Sequence, residues 1–305
     1  METGTIEVDS LAGGVDLQAT LESGQSCFWD RADGRMYDES GVARGSAWYT
    51  AVLPPDLAGD DEVVRVRQTD GRLEWESSTD ATDHLTHLLR LDDDLPAIQR
   101  ELPDDPLIET AFDAYDGLRI VRDPPFPTLI TFICSAQMRV KRIHTMQRTM
   151  ARRFGTAIEF DGETYHAFPT PDQLAAATVD ELRDCSLGYR APYVAESARL
   201  VADGELDPTD ARGREYEAAR EFLKGFMGVG DKVADCILLF SLGYLEAVPL
   251  DTWIQTAIAE HYPDCDRGSY TETSRAIREA FGGQYAGYAQ THVFHYLRAN
   301  GPDLG

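Results

Sequence analysis

The sequence predicts an α+β fold: an N-terminal antiparallel β-sheet domain with helices, followed by a mostly helical body. Three observations carry this. Strand-like segments separated by turn residues crowd the first third of the chain. From Asp123-Pro124-Pro125-Phe126-Pro127 onward the pattern is helical to the end. Hydrophobic residues make up 43% of the 305, enough for a substantial core. The division falls between residues 1–122, mixed β/α, and 123–305, helical.

In the first part, Thr5–Ser10, Ala47–Leu53, Asp61–Gln68 and Arg72–Ser78 have strand composition. Asp80–Asp94 opens with capping residues and turns helical. In the second part, helices are expected over 126–154, interrupted near Cys134, and over 171–183, 190–203, 211–224, 231–242, 252–261, 270–281 and 284–299. His84 and His87 lie on an exposed helix face, and His292 and His295 read as surface or supporting residues; neither pair reads as metal ligands, so no metal site is expected.

Composition narrows the setting. There is no basic-then-apolar leader, and the longest apolar stretch, Cys236–Leu245, is too short to span a bilayer. A soluble cytoplasmic monomer is expected. Cys27, Cys134, Cys185, Cys236 and Cys265 are odd in number and scattered, which argues for buried free thiols rather than disulfides, zinc or an iron–sulfur cluster. Acidic residues number 53 against 28 basic, for a net charge of -25. That would ordinarily disfavour nucleic acid. A halophilic origin is expected instead, because in molar salt the Debye length falls to about 3 Å and repulsion from phosphate is screened. One stretch departs from the acidity: Pro124–Ile158 has no acidic residue yet holds Arg139, Lys141, Arg142, Arg148, Arg152 and Arg153. It reads as a phosphate-facing surface or, more plainly, as a solvated basic helix face.

Gly225–Cys236, GFMGVGDKVADC, carries the most specific signal. Gly228, Val229 and Gly230 lie between two helices, and both glycines permit the positive φ of a tight turn. The turn offers backbone N–H groups at a helix start, an anion site that needs no cationic side chain. Lys232 falls in the first turn of the next helix. The helix dipole disfavours a cation there, and burial would strip its solvation, so a lowered pKa and a nucleophilic free amine are expected. In Ala247–Ile258, Asp251 stands after Pro249 where an N-cap would be. A carboxylate there can cap the helix, stabilise positive charge developing on a sugar ring, or both.

Hairpin, lysine and aspartate together resemble the helix–hairpin–helix/GPD superfamily of base-excision DNA glycosylases, the eukaryotic-type 8-oxoguanine glycosylases most of all. Leu21–Trp29, Phe132–Ile143, Tyr165–Thr170, Leu187–Val194 and Tyr285–Phe294 extend the likeness in family order. The resemblance implies roles. Lys232 would attack the deoxyribose C1′ and Asp251 would stabilise the charged sugar. Gly24 would accept the N7 hydrogen that separates 8-oxoguanine from guanine. Gln290 would bond the pairing edge of the flipped base, with Cys236 and Phe294 on its faces; the i, i+4 spacing of Lys232 with Cys236 and of Gln290 with Phe294 fits. Tyr189 and Arg190 would fill the gap and meet the orphaned cytosine, joined by Arg142 and Gln137. The chain departs from the family at Gln137-Met138-Arg139, where a run of asparagines is usual, and at Trp253, usually histidine. The first departure bears on the preference for cytosine.

The implied activity is a bifunctional glycosylase/AP lyase acting on damaged double-stranded DNA in a prokaryotic nucleoid. No cofactor is expected for the chemistry, and a monovalent cation at the hairpin beside phosphate is the one ion the resemblance allows. Two other readings stay open: the same fold acting on another damaged purine such as an alkylated base, and a non-catalytic helix–hairpin–helix DNA-binding protein. The pairing of Lys232 with Asp251 speaks against the second.

Overall fold

The computed structural model describes residues 1–38 and 46–301. Five antiparallel strands form the N-terminal sheet: β1 (Glu2–Glu7), β2 (Asp30–Arg31), β3 (Tyr49–Leu53), β4 (Glu62–Thr69) and β5 (Arg72–Ser77), in the order β1-β5-β4-β3-β2. The central hairpin pairs Thr69 with Arg72 and Val64 with Ser77. Alternation along β5 turns Leu73, Trp75 and Ser77 inward and leaves Arg72 outside. The strand expected over Thr5–Ser10 ends at Glu7 and passes into a single 3-10 turn over Val8–Ser10.

The helix expected over 80–94 forms only in its first half, and a separate helix begins where it was expected to end. Thr82–Leu88 stops before Arg90, which takes φ +47°, and Leu95–Glu101 begins afresh with the Asp94 carboxylate accepting from Ala97 N. A further helix, Pro106–Ala114, starts where Asp105 accepts from Leu107 N and Ile108 N. In the body, Pro125–Cys134 and Val140–Phe154 are separate helices, broken next to Cys134 as expected. The 231–242 segment is α-helical to Ile237 and then widens into a π-type turn over Leu238–Leu242. Thr252–His261, Tyr270–Ala280 and Ala286–Asn300 follow.

The expectation of helix to the end fails at one place. Ala157–Phe160 (β6) and Glu163–His166 (β7) form a two-stranded hairpin. Its turn, Asp161-Gly162, takes φ +53° and +77°, the left-handed pair that an Asp-Gly hairpin turn requires. Phe160 packs with Val52 and Val63 on the N-terminal sheet, and Arg65 bridges to Asp161 at 2.7 Å. The hairpin therefore clasps the body onto the sheet.

One continuous core joins sheet residues such as Val64 and Leu73 to Leu129, Ile133, Ile237 and Val293 of the body. All five cysteines are buried free thiols. Among the described residues no helix is long and apolar enough to cross a membrane, and no group of three His, Cys, Asp or Glu is placed to hold a metal ion.

Candidate active site

The lysine helix (Asp231–Ile237) is entered through the glycine turn. Gly228 takes φ +86°, and a Cβ there would sit 2.7 Å from the Tyr193 ring, so only glycine fits. Gly230 differs from expectation: its φ is -98° with extended ψ, nothing crowds it, and it serves as the N-cap. Val229 turns its side chain into the core, and its N–H donates to Phe226 O at 3.1 Å. Amides for an anion therefore come from the first helical turn, since the first intrahelical bond is Ala234 N to Gly230 O.

Lys232 projects from this turn into a half-buried site, its Nζ 5.4 Å from the centre of the Phe132 ring. Asp251 caps the Thr252–His261 helix, with Oδ1 accepting from Ile254 N at 2.9 Å and the Trp253 N–H also bonding the carboxylate. The expected depression of the lysine pKa is not found. Burial pulls it down, but the Cys236 sulfur and the Asp251 carboxylate, with Asp235 behind, outweigh burial and raise it above the ordinary lysine range. The resting amine is an ammonium held by a carboxylate field. Asp251 is itself raised by burial, against opposition from its backbone hydrogen bonds and from Lys232. Burial pushes the Cys236 thiol up to about 11, so it is neutral at physiological pH.

Sequence reasoning missed what fixes these two groups relative to each other. Asp235, three residues after Lys232, is fully buried. Its carboxylate accepts from Tyr216 OH at 2.6 Å and Tyr270 OH at 2.7 Å, and Arg220 lies 3.7 Å away. The same Tyr270 oxygen accepts from Leu250 N at 3.2 Å, one residue before Asp251. A chain of hydrogen bonds thus ties the lysine helix to the loop bearing the aspartate. The available signal was an acid inside the apolar run VADCILL, which demands buried partners.

Of the base-recognition candidates, Gly24 lies against Phe294 and Cys236 against Lys232. Gly24 has φ +100°, and a Cβ on it would lie 2.5 Å from Arg298 Nη1 and 3.4 Å from Phe294 Cε1. Its loop is fixed by Gln25, whose Nε2 donates to Thr20 O and Arg119 O at 2.8 Å each, while Oε1 accepts from Val121 N at 2.9 Å. Gln290 and Cys236 are each 3% exposed, and Phe294 is half-buried. His292 is a core residue rather than a surface one: it is 1% exposed and stacks on Phe112 at 3.7 Å. Burial pushes it down to about 4. Trp253 is half-buried at the edge of the core.

Residues 8–129 match the 8-oxoguanine DNA glycosylase N-terminal domain, and residues 130–282 match the HhH-GPD superfamily of base excision DNA repair proteins. The chain belongs to the HhH-GPD superfamily. A probable N-glycosylase/DNA lyase of Methanothermobacter thermautotrophicus is 30% identical, with 95% of each chain covered. The structure also resembles the Clostridium acetobutylicum 8-oxoguanine glycosylase/lyase in complex with double-stranded DNA containing cytosine opposite 8-oxoguanine; the TM-score is 0.81 at 30% identity, covering 94% of this chain and 92% of that one. MBOgg1 in complex with a low-affinity DNA ligand superposes with TM-score 0.82 at 28% identity, covering 97% and 95%.

In this HhH-GPD protein the candidate DNA-facing residues are unevenly free. Tyr189 is 59% exposed on the surface. Arg190 lies under it, 4.3 Å from its ring, and is buried with its guanidinium donating to Ala136 O. Gln137 is exposed at φ +55°. Arg139, Lys141 and Arg142 line a groove of about 410 Å³ with Thr145, Thr149 and Ser186. The basic stretch is only partly a phosphate surface. Arg148 is drawn inward against the Phe28 carbonyl at 3.2 Å, and Arg153 pairs with Asp184 at 3.2 Å.

Proposed function

We propose that this protein is a bifunctional DNA glycosylase/AP lyase that excises 8-oxoguanine from duplex DNA, with Lys232 as nucleophile and Asp251 as its electrostatic partner. The observation that carries the reading is a lysine and a carboxylate held in one half-buried site by the Asp235–Tyr270–Leu250 relay, inside a fold matched over both of its family segments.

The chemistry follows from the charges. With the lesion out of the stack, C1′ gains positive character as the base departs. Asp251 stabilises that charge. Lys232, having lost its proton, forms the C1′–N bond, and the base leaves with the electron pair of the glycosidic bond. Ring opening gives an imine, which acidifies the C2′ hydrogen; its loss expels the 3′ phosphate by β-elimination. Gly24, Gln290, Phe294 and Cys236 bind the extruded base, and Tyr189 occupies the gap. Arg142, Gln137 and Arg190 face the opposite strand, Arg190 after release from Ala136. Phosphate meets the Gly228–Gly230 turn. These steps use side chains of the chain itself and call for no cofactor; a monovalent cation at the turn carbonyls would serve only to brace phosphate.

Borohydride tests the nucleophile. Wild-type protein mixed with an 8-oxoguanine duplex should be trapped as a covalent adduct, and Lys232→Gln should give none. Equal trapping by the variant would remove Lys232 from the role.

A further inference from the structure

Beside Gly24 and Phe294 lies a charged group that neither the hairpin nor the lysine chemistry uses. Arg298 lies one helical turn after Phe294, with its guanidinium carbon 5.4 Å from that ring's centre. Nη2 is fixed from behind: it donates to Glu22 O at 2.8 Å and faces His295 Nδ1 at 3.2 Å. Burial pushes His295 down to about 3, so its ring is neutral and its Nδ1 lone pair can accept. Glu22 is itself held by Arg31 at 2.9 Å and Tyr49 OH at 2.5 Å. Nη1 is thereby set on the other side, against Gly24, 2.5 Å from where a Cβ would stand. The absence of a side chain at Gly24 and the pinning of Nη2 together present one N–H edge to the space beside Phe294.

A guanidinium has five donors and no acceptor. We propose that Arg298 is a base-recognition residue whose Nη1–H donates to a carbonyl oxygen of the flipped 8-oxopurine flanking the edge that Gly24 reads. This rests on the proposed glycosylase reading and deepens it. Two oxygens of 8-oxoguanine, O6 and O8, share the required chemistry. A purine presenting an amino group at that point would meet donor with donor. The interaction is charge-assisted and largely desolvated, so its loss corresponds to about tenfold to a hundredfold in kcat/KM.

The test compares two substrates of one enzyme. Arg298→Met keeps the apolar stem and removes the donors. Excision of 8-oxoguanine should fall at least tenfold more than cleavage of a duplex with a preformed abasic site, which lacks the base. Lys232 and Asp251 act on both, so any effect through their ionisation, or through general loosening, cancels in the ratio. Arg298→Lys, which keeps a donor but not the fork, should recover part of the loss and serves if the methionine variant does not fold. An 8-oxoadenine duplex separates the oxygens: an equal penalty on both lesions assigns O8, and a penalty on 8-oxoguanine alone assigns O6. Equal losses on lesion and abasic duplexes, or no loss on either, would overturn the proposal. Wild-type trapping on 8-oxoguanine, run alongside, keeps failure of this inference distinct from failure of the glycosylase reading.

Discussion

Tyr270→Phe isolates the relay that sets the lysine against the aspartate. The hydroxyl donates to the fully buried Asp235 carboxylate at 2.7 Å and accepts from Leu250 N at 3.2 Å. Removing it costs a hydrogen bond to a charged group and leaves a partly buried N–H without its acceptor, together about 3 kcal/mol. At roughly 2 °C per kcal/mol for a chain of this size, Tm should fall by about 6 °C. The functional cost should exceed what stability predicts, because Leu250 immediately precedes Asp251. A displacement of about 1 Å in the reacting geometry can cost on the order of a hundredfold in rate. Tyr216→Phe is the control: it removes the other donor to Asp235, at 2.6 Å, but touches nothing in the aspartate loop. Thermal unfolding and single-turnover excision should show both variants destabilised and only Tyr270→Phe slowed tenfold or more. Equal rates for the two variants would refute the relay.

Three further outcomes follow from the same geometry. Gly24→Ala should lower stability by about 1–3 kcal/mol, because an L-residue at φ +100° is strained; it should also slow excision at least tenfold by pushing Arg298 aside, measured by denaturant unfolding and single-turnover kinetics. The attacking amine is the deprotonated form of a group held above the ordinary lysine range, so single-turnover rates should climb with pH across about 6 to 9; a flat profile would mean that the proton is lost on lesion binding. Asp123 is buried, with Oδ2 accepting from Ser26 at 2.5 Å and Oδ1 without a partner, and burial raises it to about 7. Unfolded, it titrates near ~3.9, so between those pH values the folded form keeps a proton the unfolded form has lost. Stability from this group therefore declines as pH rises through that window, by on the order of 4 kcal/mol. Asp123→Asn should flatten that limb in denaturant titrations at pH 4.5 and 7.5, though not abolish it, since Asp235 is raised in the same sense to about 6.

What was legible from sequence were features that repeat locally. The alternation of β5, the Asp251 N-cap and the break beside Cys134 each follow from neighbouring residues. The β6–β7 hairpin was also written locally, in Asp161-Gly162, but its strands are four residues long and sit among helices. Long-range compensation was not legible. The argument for a free amine at Lys232 counted the helix dipole and burial but no partner from elsewhere in the chain; the fold brings Asp251 and Cys236 to bear on the same nitrogen and reverses the sign. The equal standing given to Gly228 and Gly230 failed likewise, since only the first is crowded, by Tyr193 from another helix. Arg298 was invisible because its meaning depends on Gly24, at the far end of the chain.

The charge problem resolves into a salt-dependence prediction. Six cations in an acid-free stretch would neutralise about six phosphates, and the slope of log binding constant against log salt would approach roughly -5. The fold withdraws several of them. Arg148 is turned toward the Cys27–Phe28 carbonyls, Arg153 is paired with Asp184, and Lys141 reaches Asp38 at 2.5 Å. Arg139 and Arg142 face the groove, and Lys141 can exchange its partner for phosphate there. Arg152 is exposed as well, and these four contacts give a slope of about -3.6. On the proposed reading, the rest of the grip would come from the Tyr189 ring and the first-turn amides of the lysine helix, which release few counterions. Lesion-duplex binding measured from 0.1 to 1 M KCl should show this shallow slope, with Arg142→Ala making it shallower by about one and Arg148→Ala leaving it unchanged. A slope near -5 would mean that the withdrawn arginines come out to meet DNA, and that the acidic surface is no adaptation to salt at the interface.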